Sequence, residues 1–214
     1  MKPARMSRVL RAGGVRGLLI GSLPAGSHTL DLDWACFAAV VQSHTLSHPE
    51  LSRSVNDYAH AMQLALCKLS GLGYRRIGYA CASLLEVRTQ RLNLSAYLGY
   101  QASVPKRDRV ALLNWSGQSS QTLKRWIERN KPDALISHDV AMQDAIRHLQ
   151  LRVPQDLGVA ALCLHPGTTT RSLAGIDQQQ ERCGEVAVDL LVSQLHHNEL
   201  GPPAQPIIAL TRGA

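Results

Sequence analysis

The chain has 214 residues, 45% of them hydrophobic and 18% charged, enough for one sizeable core or two small lobes. Only nine residues are aromatic, so Leu, Ala, Val and Ile must fill the interior, and no apolar run reaches the ~18 residues of a membrane span. The net charge of +7 is spread out; with no helix-turn-helix spacing, zinc-finger pattern or aromatic-basic interleaving, it reads as a solvated surface rather than a DNA groove.

In chain order, residues 1–12 read as a basic amphipathic helix with Met6, Val9 and Leu10 inward, ended by Gly13-Gly14. Residues 15–21 and 37–42 read as short apolar strands, with loops over 22–34 and 43–53. A long helix follows, capped by Ser54 or Asn56, with Tyr58, Met62, Ala65, Leu66 and Leu69 on its apolar face. Gly71 and Gly73 stop it, and 75–80 reads as a strand. Residues 84–101 read as one helix, 109–114 as a strand and 119–130 as a helix stopped at Pro132. A strand over 134–137, a helix over 139–151, a strand over 158–164 and a polar loop over 165–173 come next. A helix over 179–198 and a strand over 206–210 close the chain.

This alternation predicts an α/β fold with parallel sheets flanked by helices. Such sheets bind ligands beyond the carboxyl ends of their strands, so function is expected just after Gly21, Gln42, Ala82, Asn114, Ser137 and Leu164. The arginines at 75 and 76 then lie at the opposite, amino end of a strand.

No catalytic motif declares itself. G-x-G-x-x-G after a strand, G-x-x-x-x-G-K-[ST] and G-x-S-x-G are all absent. The five cysteines form no C-x-x-C pair, which excludes a zinc site or disulfide framework and suits a reducing cytoplasm. His44 and His48 have a helical metal-ligand spacing, but Pro49 argues for a loop. No metal or cofactor is expected. Six polar or charged residues fall where strands end or helices begin. Arg88 and Arg91 are fork donors or solvated charges; His138 and Asp139 line a crevice or cap a helix. Asp177 suits a helix start, and Gln178 beside it is placed to reach a crevice. Trp115 is a stacking platform or a core residue.

Several segments, in order, resemble the effector-binding domain of LacI/GalR-family transcription regulators, which is similar to periplasmic sugar-binding proteins. Leu72-Gly73-Tyr74-Arg75-Arg76-Ile77-Gly78 resembles L-G-H-R-R-I-A, and Lys131-Pro132-Asp133-Ala134-Leu135-Ile136 resembles the P-T-A-[IL] strand entry. Val153-Pro154-Gln155-Asp156-Leu157-Gly158-Val159 resembles V-P-x-D-[VI]-S-V, and Leu173-Ala174-Gly175-Ile176-Asp177-Gln178 resembles L-T-T-[VI]-x-Q. Gly184, Ala187, Leu190 and Leu191 follow at the family's helical spacing. His138 replaces the family's usual Asn, and Ala161-Leu162-Cys163-Leu164 lacks the acids of G-[FY]-D-D.

The resemblance implies a type I periplasmic-binding-protein-like fold in two lobes. Expected boundaries are 10–80 with 175–200 for the amino-terminal lobe, its sheet incomplete, and 82–173 with 203–214 for the carboxy-terminal lobe. It implies a sugar-like effector in the inter-lobe cleft, contacted by Arg88, Arg91, Trp115, His138, Asp139, Asp177 and Gln178. It also implies a cytoplasmic homodimer whose DNA contacts come from a helix-turn-helix not visible in this sequence. A solute-binding protein of the same fold is the alternative, and an α/β hydrolase using His138 and Asp139 a more distant one.

Overall fold

The structure is a computed structural model describing residues 3–115, 117, 119–138, 141–164 and 173–214. The chain forms two compact units, residues 1–56 with 179–211 and residues 57–178 with 212–214.

The first unit carries α1 (Pro3–Ala12), β1 (Gly17–Ile20), β2 (Ala38–Val41) and β3 (Arg53–Asn56). The second contributes α2 (Tyr58–Gly71), β4 (Ile77–Cys81), α3 (Ser83–Arg88), α4 (Leu92–Ser103), β5 (Leu113–Asn114), α5 (Ser120–Asn130), β6 (Ala134–Ser137), α6 (Ala141–His148), β7 (Gly158–Leu164) and β8 (Ala174–Asp177). The chain then returns to the first unit through α7 (Gln180–His196) and β9 (Ile208–Thr211).

The first unit holds a parallel sheet in the order β1-β2-β3-β9. Helix α7 packs closely on one face, with Leu191 and Leu195 against Gly17. The other face carries Leu18, Ile20, Ala39 and Val41 under Leu23, Leu30, Trp34, Leu46 and Leu51 from the two loops. Strand β3 opens with two polar residues that are nonetheless buried, because Arg53 and Ser54 each find a backbone partner. The Arg53 guanidinium donates to the Ser43 and Leu46 carbonyls at 3.1 and 3.2 Å, and the Ser54 hydroxyl to the Cys183 carbonyl at 2.8 Å.

The second unit holds a parallel sheet ordered β5-β4-β6-β7-β8. Alternation along the strands divides its core. Ile77, Tyr79, Cys81, Ala134, Ile136, Ala160 and Leu162 face α2 and α4; Ala80, Leu135 and Val159 face α5 and α6. Gly78 stands against the Trp126 ring, leaving no room for a β-carbon.

Three expectations are corrected. The lobe boundaries move, because α2 packs on α4, β7 and β8 while β4 pairs with β5 and β6; both belong to the second unit, and β9 pairs with β3 in the first. Residues 53–56 are a strand rather than loop and helix start, and the cap of α2 is Asp57, whose carboxylate accepts from the His60 N–H at 3.0 Å. The helix expected over 84–101 breaks into α3 and α4 at Gln90 and Arg91, both left-handed, with φ of 53° and 57°. Residues 174–177, to which the sequence reading assigns no element, add to β7 as a strand.

Two predictions follow from the packing. Gly78→Ala drives a methyl into the Trp126 ring and lowers stability by about 1–3 kcal/mol in denaturant melts. Burial, with the Arg53 guanidinium second, lowers the His44 pKa from 6.5 to about 4. Unfolded chain therefore takes up a proton below pH 6.5 that folded chain refuses until about pH 4. His44 contributes nothing to the pH dependence above that range and destabilises progressively on acidification through it. Thermal melts of wild type and His44→Gln should run parallel above pH 6.5 and diverge below it, with wild type losing more.

Candidate functional site

The carboxyl ends of β5, β4 and β6 lie side by side in the second unit and place polar side chains on one edge of its sheet. After β4, Ser83 opens α3, and its hydroxyl donates to Asn114 Oδ1 at the end of β5, at 2.9 Å. After β6, the His138 ring lies 6.5 Å from the Tyr58 ring, tilted by 55°. Beyond β6 and β7, Ser137, His138, Met142, Cys163, Leu164 and Leu173 line a shallow depression. Hydroxyl, amide, imidazole and phenol groups together suit a ligand that presents hydroxyls and a ring face.

A buried carboxylate supports this edge. Glu86 accepts from the Tyr79 hydroxyl and, at 3.1 Å, from the Leu94 N–H. The second bond caps the first turn of α4, so one side chain of α3 joins strand β4 to the next helix. Burial, reinforced by the Glu86 carboxylate, pushes the Tyr79 phenol pKa far up, and the same two causes push the Cys81 thiol up to about 11. Both groups stay neutral and structural at physiological pH.

The expected contacts separate into groups. Arg88 ends α3 half-buried, and Arg91 stands exposed at the start of α4, both downstream of β4 as anticipated. His138 lies on the edge, and Asp139 falls outside the described residues. Asp177 is exposed at the end of β8, its N–H and carbonyl exchanging bonds with Ala214 at 3.0 and 2.9 Å. Gln178 is 1% exposed, and its side-chain N–H donates to the Leu162 carbonyl. Trp115 is also 1% exposed; it packs among Ala80, Leu123 and Met142 in the α5–α6 core, the second of its two expected roles.

Sequence reasoning passed over Tyr58, Ser83 and Asn114. Tyr58 fits the helical apolar spacing and reads as core, yet it begins α2 half-buried beside His138. The rule that ligands bind beyond strand carboxyl ends already marks Ser83 and Asn114.

Residues 67–213 match the family model described as a periplasmic binding protein-like domain. Among solved structures, the chain is similar to a transcriptional regulator CelR–cellobiose complex, with 19% identity, a TM-score of 0.66, and 98% of this chain and 67% of that one covered. It is similar to a LacI family transcriptional regulator from Enterococcus faecium with bound ribose, with 15% identity, a TM-score of 0.68, and 100% and 82% covered. A LacI transcriptional regulator from Lactobacillus brevis gives 15% identity, a TM-score of 0.72, and 98% and 82% covered. No curated protein matches the chain.

Replacing Glu86 tests the support directly. Glu86→Ala strands the Tyr79 hydroxyl and the Leu94 N–H and destabilises by about 2–4 kcal/mol. Glu86→Gln, which keeps an acceptor oxygen, loses less in the same denaturant titration.

Proposed function

Because the chain belongs to the periplasmic binding protein-like domain family, we propose that it is the effector-sensing part of a LacI-type transcriptional regulator. It takes a small, polar, sugar-like ligand at the carboxyl edge of the second unit's sheet. The observation that carries this reading is the convergence on three adjacent strand ends of the Ser83–Asn114 pair and the Tyr58–His138 ring pair. Hydroxyl and amide groups exchange hydrogen bonds with sugar hydroxyls, and a half-buried ring covers the C–H face of a sugar. Arg88, Arg91 and Asp177 extend the polar set from the flanking elements, while Trp115 and Gln178 back it from the interior; Asp139, next to His138 in the sequence, is proposed as a further contact. The likeness to regulators solved with cellobiose and with ribose supports the ligand class.

The role is binding rather than turnover. Ligand energy shifts the conformation of a homodimer in the cytoplasm, and DNA is held by a separate head.

Thermal melts against a panel of mono- and disaccharides, ribose and cellobiose included, test the reading. A ligand that binds the folded state raises the melting temperature with concentration. His138→Ala should weaken the responding sugar about tenfold, the worth of one lost polar or ring contact. Arg75→Glu, at the amino end of the sheet, should leave that affinity unchanged. A cooperative melt that no sugar of the panel moves overturns the proposal.

A further inference from the structure

The amino end of the second unit's sheet carries a basic surface that the effector reading does not use. Its hub is Arg76, just before β4. The guanidinium donates to the Lys131 carbonyl at 2.9 Å and to the carbonyls of Asn130 and Arg107. Three segments are thereby gathered around one side chain: the turn into β4, the end of α5 and the 3-10 turn Lys106–Asp108. Each brings further cations. Arg75 precedes the hub, Lys106 and Arg107 lie on the 3-10 turn with Arg109 just after it, and Lys131 ends α5 in a left-handed conformation with φ of 45°.

Two of these six cations have structural work that explains them. Arg76 covers the last carbonyls of α5. Arg109 donates to the Val104 and Ala102 carbonyls at the end of α4, at 3.2 and 3.0 Å. Cations at helix carboxyl ends offset the partial negative charge there.

Arg75, Lys106, Arg107 and Lys131 are not used in this way, and all four are exposed. Among the described residues, Arg75, Lys106 and Lys131 have no carboxylate within ion-pair distance; Arg107 has only Asp108, at 3.9 Å. The other local acid, Asp133, is occupied by the backbone N–H groups of Arg75 and Arg76 at 2.8 and 2.9 Å. Six cations against two acids leave a local surplus of four, more than half of the whole chain's +7. Leu72, three residues before Arg75, is 76% exposed at the end of α2.

We propose that this amino-end surface is a docking site for an acidic protein segment, separate from the effector edge at the opposite end of the strands. Charge complementarity calls for a polyanion, and the exposed Leu72 beside the cations selects among polyanions. A peptide carries apolar side chains that cover Leu72, whereas a phosphate backbone offers it nothing. The site stands on the second unit's own geometry, so it does not depend on the effector assignment.

The test uses the full chain and three fluorescent probes: a glutamate-rich peptide with a central leucine, the same peptide with its leucine replaced by glycine, and a random-sequence DNA duplex. The leucine peptide should bind most tightly by anisotropy, and less tightly as salt rises. The triple reversal Arg75→Glu, Arg107→Glu, Lys131→Glu should weaken it on the order of tenfold or more. Arg76 and Arg109 stay in place, and an unchanged melting temperature verifies the fold. Leu72→Asp should weaken the leucine peptide and leave the glycine peptide much less affected. Reversal of Arg5, in the first unit, should change nothing. Equal binding by wild type and the triple variant overturns the site. Tighter binding of the duplex than of either peptide, insensitive to Leu72→Asp, overturns the partner.

Discussion

The buried Glu86 carboxylate is the constraint on which the carboxyl edge of the second unit's sheet depends. Removing a carboxylate from water costs several kcal/mol unless donors replace the hydration. Here the Tyr79 hydroxyl and the Leu94 N–H replace it. The two donors come from a central strand and from a helix, so satisfying one charge fixes β4, α3 and α4 together. Beside it lies the left-handed turn between the helices, closed by the Gln90 and Arg91 N–H groups on the Val87 and Glu86 carbonyls. Gln90 and Arg91 each give up about 1–2 kcal/mol of backbone comfort there. That turn places Leu94 where it donates to the carboxylate and sets Arg91 at the head of α4.

Three strands of the second unit were legible because they obey simple rules. Residues 77–81, 134–137 and 158–164 are apolar, short and bounded by turn residues, as strands buried on both faces must be. Strands β3 and β8 were not legible. Arg53 and Ser54 look like loop residues, and only the folded chain shows that carbonyls distant in sequence satisfy them. Ala174 to Asp177 carries too little apolar surface to stand out, and pairing with β7 makes it a strand. The break between α3 and α4 was hidden for a different reason: neither glycine nor proline marks it, although Gln90 and Arg91 close the end of α3 with bonds back to the Val87 and Glu86 carbonyls.

The candidate site was half legible. The strand-end rule finds positions rather than side chains, and it led to His138, Arg88 and Arg91. It did not separate Trp115 and Gln178, whose side chains turn inward, from neighbours that stay near the edge. Tyr58 was missed because its helical spacing fits a core pattern, and its place beside His138 depends on how the start of α2 meets the end of β6. Local spacing carries no information about that meeting.

The threading of the chain has a consequence for its synthesis. The second unit's five strands all lie between residues 77 and 177, so its sheet is available once that stretch has left the ribosome. The first unit's sheet is different: β3 at residues 53–56 waits for β9 at residues 208–211. Until then, β3 exposes a row of unpaired backbone groups, and α7 has not yet arrived to cover the sheet. The nascent chain must therefore carry an unfinished, edge-exposed sheet behind an already folded neighbour. Any slowing of translation between residues 177 and 211 lengthens this interval, and with it the time during which a chaperone is of use.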